Sequence, residues 1–154
     1  MQVGDTVPDF ELPDQSGVPT KLSQLVEKGP LVLFFYPAAM SAGCTIESCH
    51  FRDLTSEFAA VGAQPVGISG DSVESQKQFS DKHAFDYPLL SDSDRRVAEM
   101  FGVKRGISLA PTKRKTFVID TDRTVIGVIS SEIRMGVHAD KALDLLRSRH
   151  GASS

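Results

Sequence analysis

The sequence holds 154 residues, 40% hydrophobic and 24% charged, with a formal net charge of −3. That length supports one domain with a full core and no need of staples or structural metals. The charge leaves no excess of cations to displace phosphate counterions, which argues against a nucleic-acid partner.

The opening MQVGDTVPDFELPD carries acids and prolines without an apolar run, so no secretory leader is expected. DQSGVP reads as a turn, and LSQLVEKG as a short helix ended by Gly29. LVLFFY is a continuous apolar run rich in aromatics, the pattern of a strand buried on both faces, and Pro37 ends it. Even with its neighbours, as PLVLFFYPAAM, this longest apolar run is far too short to span a bilayer, so no membrane partner is expected and a cytoplasmic location is. A helix is predicted over 42–61, closed by Gly62. QPVGIS is a second buried strand, and SVESQKQFSDKHA a helix with Ser72 as its N-cap. YPLLSD is a short extended piece, and SDRRVAEMFG a helix stopped by Gly102. KTFVID and TVIGVIS, separated by TDR, read as a hairpin. HADKALDLLRSRH is a last helix, amphipathic through Ala142, Leu145 and Leu146, and 149–154 reads as a frayed tail. The order β-α-β-α-(β)-α-β-β-α gives an α/β chain with a central mixed sheet flanked by helices. It is the outline of a thioredoxin-like fold, expected as a single domain over 1–154. That outline serves many activities, so function has to be read from a site.

The only two cysteines, Cys44 and Cys49, fall within YPAAMSAGCTIESCHFRD. In a reducing compartment such a pair is reactive more often than structural. Phe51, Leu54, Phe58 and Val61 recur at three- and four-residue steps, and Cys44 lies one heptad before Phe51, close to the same inward stripe. Cys49 points elsewhere. Five residues of ideal helix separate the two Cα atoms by roughly 8–9 Å. A disulfide needs about 7 Å or less and converging side chains, so the pair cannot be bridged while the helix is intact. Only His50 stands beside the pair, where a metal site needs about four ligands. A reversible redox pair that reshapes the helix and two unrelated buried cysteines both remain open.

Cys44 sits in the first helical turn, where unpartnered N–H groups and the helix dipole favour a thiolate. Ser41 is a candidate N-cap near the same sulfur. Glu47, one turn on, opposes the thiolate charge, so a nearby cation is called for. Arg52 is about 12 Å up the helix axis, too far for contact. Arg114, at the start of RKTFVID, can reach the helix base if its side chain turns inward.

The stretch FYPAAMSAGCTIESCHFRD resembles the peroxiredoxins, and within them the bacterioferritin comigratory protein, or peroxiredoxin Q, group, whose usual signature is FYP-x-x-x-TPGCT-x-E-x-C-x-FRD. GDTVPDFELPDQSG, YPLLSD, FGVKRG and KRKTFVID are similar to the family's opening, middle and late strand. The resemblance implies a thiol-dependent peroxidase acting on hydrogen peroxide and organic hydroperoxides. Cys44 matches the peroxidatic cysteine, which becomes a sulfenic acid. Cys49 matches the resolving cysteine, which closes an intramolecular disulfide. A thioredoxin, or a glutaredoxin, would reduce that disulfide by exchange. Pro37 matches the residue that shields the sulfur, Ser41 the hydroxyl residue that holds the peroxide oxygens, and Arg114 the arginine that orients the peroxide. Gly43 belongs with these substrate-binding positions. Glu47 matches the glutamate that supports the arginine, and Tyr36 is a candidate lining residue. No metal, haem or flavin is implied, and a monomer is. Two departures stand out: the family's Thr is Ser41, and the Pro after it is Ala42. Ser loses the methyl that restricts the rotamer, and Ala loses the preset φ of a helix start, so a looser first turn is expected.

Other residues carry weaker signals. His50 is read as a solvated helix histidine, and His83, His138 and His150 lie among polar residues. Phe34, Phe35, Phe51 and Phe58 read as core. KRGISLAPTKRK reads as a solvated loop, with docking of an acidic reductant as the minority reading. Arg52 and Asp53 are expected to pair locally. A thioredoxin-type disulfide oxidoreductase would also use two cysteines, but the chain has no C-x-x-C; a redox-sensing module would use the same chemistry with few turnovers.

Overall fold

The computed structural model describes residues 1–39, 42–103, 114–130 and 136–152. The chain opens with an antiparallel pair, β1 (Glu11–Pro13) and β2 (Pro19–Lys21). Its turn is closed by the Asp14 carboxylate, which accepts from the N–H groups of Ser16 and Val18 at 2.8 and 3.0 Å. Strands of three residues carry no readable period, which is why only the turn was legible in the sequence. A short α1 (Leu22–Leu25) runs into a 3₁₀ turn at Val26–Lys28.

Among the described residues the main sheet has five strands in the order β5-β4-β3-β6-β7. β3 (Leu31–Phe35), β4 (Gln64–Ser69) and β5 (Leu89–Ser91) are parallel, while β6 (Lys115–Ile119) and β7 (Val125–Ser130) run antiparallel as the closing hairpin. The mixed sheet flanked by helices is the architecture read from the element order. β3 is central, and all five of its residues are buried. Its side chains alternate between two cores. Leu31, Leu33 and Phe35 face Phe101 and Phe117 on one side; Val32 and Phe34, with Tyr36 beyond the strand, face Phe51, Phe58 and Phe79 on the other.

The second core is roofed by α2 (Ala42–Asp53), α3 (Thr55–Ala60), α4 (Val73–His83) and α6 (Val137–Ala152), and α5 (Arg96–Met100) packs on the first. Ser72 caps α4 as expected, accepting from the Ser75 N–H at 3.2 Å. The single helix predicted over 42–61 is in fact two, broken at Leu54 (φ −101°, ψ 8°). The Thr55 hydroxyl donates to the carbonyl of Arg52 at 2.7 Å and to that of Phe51 at 3.3 Å, a back-bond that bends helices. α5 starts later than expected because Arg95 takes a left-handed φ of 58°. α6 buries Ala139, Ala142, Leu143 and Leu146, leaves Leu145 half-buried, and continues to Ala152 through most of the segment expected to fray. No helix among the described residues is long and apolar enough to cross a membrane.

Phe51 fixes α2 to the sheet. Its ring stacks on Phe34 with centroids 4.1 Å apart, and both rings are fully buried. Phe51→Ala should cost about 3–5 kcal/mol. Urea unfolding should show this as a lower midpoint with an unchanged slope.

Candidate active site

The site forms where β3 ends and α2 begins. The Tyr36 N–H still donates to Ile68 O at 3.1 Å, and at Pro37 the chain leaves the sheet. Cys44 follows in the first turn of α2 and is fully buried. Glu47, Ser48 and Phe51 stand three, four and seven residues later, and all three are buried on the same face.

Arg114 meets this face from the sheet. The β3–β6 register pairs Phe35 with Lys115, so Arg114 stands one residue past the last pair, beside the end of β3. It shares a strand face with Thr116 and Val118, the face that carries the second core. Its guanidinium forks. Nη2 donates to Cys44 Sγ at 3.2 Å, and Nη1 donates to Glu47 Oε1 at 3.1 Å. Burial works against the Arg114 charge, but Glu47 and Cys44 outweigh it, and its pKa lies above the ordinary arginine value. Glu47 Oε2 lies 3.6 Å from His138 Nε2, and His138 Nδ1 lies 2.8 Å from Thr116 Oγ1. Glu47, Thr116 and His138 are fully buried, and Arg114 nearly so. The reading of His138 as one more polar-flanked histidine is therefore corrected. Its sequence signal was position: it stands four residues before Ala142 on the inward stripe of α6.

A second network holds the loop before α2. The Ala39 N–H donates to Asp71 Oδ2 at 2.7 Å, and the Ser69 hydroxyl donates to the same oxygen at 2.6 Å. Gln76 Nε2 reaches Ser69 Oγ and Leu90 O at 3.1 and 2.8 Å. The Tyr36 hydroxyl completes the chain, donating to Gln76 Oε1 at 2.5 Å. Burial pushes the Tyr36 phenol well above the usual tyrosine range. Its ring belongs to the same core cluster as Cys44, but its hydroxyl is committed to Gln76. Asp71 and Gln76 carried no sequence signal, because their partners are distant in the chain.

The remaining sequence-predicted residues are distributed as follows. Pro37 and Gly43 are half-buried on either side of the α2 start. Cys49 is half-buried, and both cysteines are free thiols on a continuous helix. Ser41 and most of KRGISLAPTKRK lie outside the described residues. Arg52 turns away from Cys44, pairing with Asp53 at 3.0 Å and donating to His83 O at 2.8 Å. His50 is not simply solvated, since its Nε2 lies 2.8 Å from Asp140 Oδ1 on α6. Tyr87 donates to Ser48 O at 2.6 Å from beneath the helix. A buried sulfur at a helix start, with a guanidinium donating to it, is an electrostatic arrangement suited to displacement at sulfur, because the donors are in place as charge moves.

The AhpC/TSA family pattern matches residues 3–128. A Mycobacterium tuberculosis protein named as a peroxiredoxin is 63% identical over 150 residues, covering 96% of this chain and 97% of that protein. The chloroplastic peroxiredoxin Q of Sedum lineare is 41% identical over 145 residues, 94% of this chain and 77% of that protein. The crystal structure of the peroxidoxin BcpB from Mycobacterium tuberculosis superposes with a TM-score of 0.92 at 62% identity, covering 96% of this chain and 97% of that one. The chain belongs to the peroxiredoxins of the AhpC/TSA family, in the peroxiredoxin Q group. The thioredoxin-like fold inferred from the element order comes with that membership, and so does thiol-dependent peroxidase activity.

In this peroxiredoxin Asp71 ties the loop ahead of Cys44 to the sheet. Asp71→Ala should lower the rate of thiol oxidation by peroxide about fivefold to tenfold, the scale of one charge-assisted hydrogen bond. Rapid-quench kinetics should show the loss with little change in melting temperature.

Proposed function

We propose that Cys44 is the peroxidatic cysteine and Cys49 its resolving partner. The observation that carries this is the Arg114 fork, which donates to Cys44 Sγ at 3.2 Å while anchored on Glu47 at 3.1 Å. The Cys44 thiolate attacks one oxygen of the peroxide. An S–O bond forms, the O–O bond breaks, and sulfur loses the two electrons that the peroxide gains. The departing oxide takes a proton and leaves as water or an alcohol. Arg114 and the N–H groups at the start of α2 follow the charge from sulfur to oxygen. Pro37 and Gly43 shape the approach, Ser41 supplies a hydroxyl to the peroxide, Glu47 holds Arg114, and Tyr36 backs the sulfur.

Cys49 then attacks the Cys44 sulfenic acid, and a disulfide forms as hydroxide leaves and is protonated. The intact helix holds the two Cα atoms roughly 8–9 Å apart, beyond disulfide reach, so its first turns must unwind. Ser41 and Ala42 loosen that turn. The Tyr87–Ser48 bond and the His50–Asp140 pair hold the helix from below and from the side. A thioredoxin-type dithiol restores both thiols and is itself oxidised; thioredoxin is the first candidate and glutaredoxin the second. We read the protein as a cytoplasmic monomer of one domain that takes hydrogen peroxide and organic hydroperoxides.

One equivalent of hydrogen peroxide added to the reduced protein should give, by intact mass and peptide mapping, a single Cys44–Cys49 disulfide. Unmodified thiols with the peroxide unconsumed would remove the proposal. Cys44→Ser should abolish turnover, whereas Cys49→Ser should be oxidised once and then stall with thioredoxin. Tyr87→Phe removes one buried hydrogen bond, about 1 kcal/mol, from the folded helix and should speed disulfide closure about threefold to fivefold. An insulin-reduction assay should be negative.

A further inference from the structure

Arg114 is a long side chain, and two elements meet at its carboxylate partner. β6 carries Thr116 two residues beyond Arg114 on the same face. α6 carries His138, fixed by a 2.8 Å contact between its Nδ1 and Thr116 Oγ1. The other ring nitrogen, Nε2, lies 3.6 Å from Glu47 Oε2, while Glu47 Oε1 accepts from Arg114. The contacts close a circuit: from β6 through Thr116 and His138 to Glu47 on α2, then through Arg114 back to β6. The contacts require a proton on Nε2. If Nδ1 alone were protonated, the lone pair of Nε2 would face a carboxylate. Either a neutral ring with the Thr116 hydroxyl donating to Nδ1, or a doubly protonated ring, avoids this, and in both Nε2 carries a proton that faces Glu47. At 3.6 Å this is an electrostatic contact rather than a short hydrogen bond, but it acts between fully buried groups, where water screens little.

We propose that His138 is a positioning residue for peroxide reduction: its Nε2–H holds the second oxygen of Glu47, so that Glu47 keeps Arg114 aimed at Cys44 Sγ. His138 acts through Glu47 and touches neither the sulfur nor the peroxide. The inference rests on the reading of Cys44 as the attacking thiol.

Two substitutions separate positioning from packing. In His138→Asn the amide reaches the Thr116 side only; in His138→Gln it extends to the place of Nε2. Single-turnover oxidation by hydrogen peroxide, followed by rapid quench and intact mass, should be about tenfold slower in His138→Asn and within about threefold of wild type in His138→Gln. In a Glu47→Gln background His138→Asn should add less than about twofold, because the route through Glu47 is already cut. Thr116→Val, which frees the ring without touching Glu47, should slow oxidation in the same direction and carries the test if His138→Asn does not fold. The proposal is overturned if His138→Asn oxidises at the wild-type rate, if Asn and Gln variants fall together in step with lost melting temperature, or if the full loss persists in the Glu47→Gln background. A wild-type protein that leaves peroxide unconsumed would instead sink the reading of Cys44.

Discussion

The guanidinium of Arg114, buried between a sulfur and a carboxylate, sets most of the constraints on this structure. A buried cation is tolerated only when its partners are fixed around it, and removing one of them leaves the others uncompensated. Here the partners stand on α2 and the cation precedes β6, so the helix has to dock in one place on the sheet. The antiparallel β3–β6 register supplies that place. A slip of one residue would turn Arg114, Thr116 and Val118 to the opposite core and leave Cys44 and Glu47 without their cation. The closing hairpin therefore does more than complete the sheet.

α2 carries two demands that conflict. Its first turns, intact, bury Cys44 and align Glu47 one turn behind it. The same turns keep Cys49 out of disulfide reach. The helix is held along its length: Arg114 ties Cys44 and Glu47 in the first half. Phe51 stacks on Phe34 and Tyr87 grips the Ser48 carbonyl, both in the second half. Ala42 opens the first turn without the preset φ that a proline would give.

The loop before α2 is held by a separate route. Tyr36, Gln76, Ser69 and Asp71 form a chain of hydrogen bonds from the end of β3, through α4 and β4, to the Ala39 N–H. One network thus fixes the backbone leading into the site and the other fixes the cation facing it. They share the sheet as their common base, and each closes on a different helix, α4 for the loop and α6 for the cation.

Elements that depend on near neighbours could be read from the chain before any packing was known. LVLFFY announced a strand buried on both faces because every position is apolar, and KTFVID with TVIGVIS announced the hairpin. The cysteine spacing and the first-turn position of Cys44 were legible for the same reason, since helical geometry relates residues a few positions apart. The need for a cation beside Cys44 pointed to Arg114, the resemblance gave it a role, and the fold delivered it to the sulfur across 70 residues of chain. The remaining contacts join residues far apart in the chain. His138 joined Thr116 from 22 residues away, and Asp71 reached Ala39 from 32, distances over which no local period carries information. The break at Leu54 came from a hydroxyl competing for backbone carbonyls, a choice that an apolar stripe does not record. Periodicity reports which face of an element is buried; which charge waits on the other side is settled only when the elements pack.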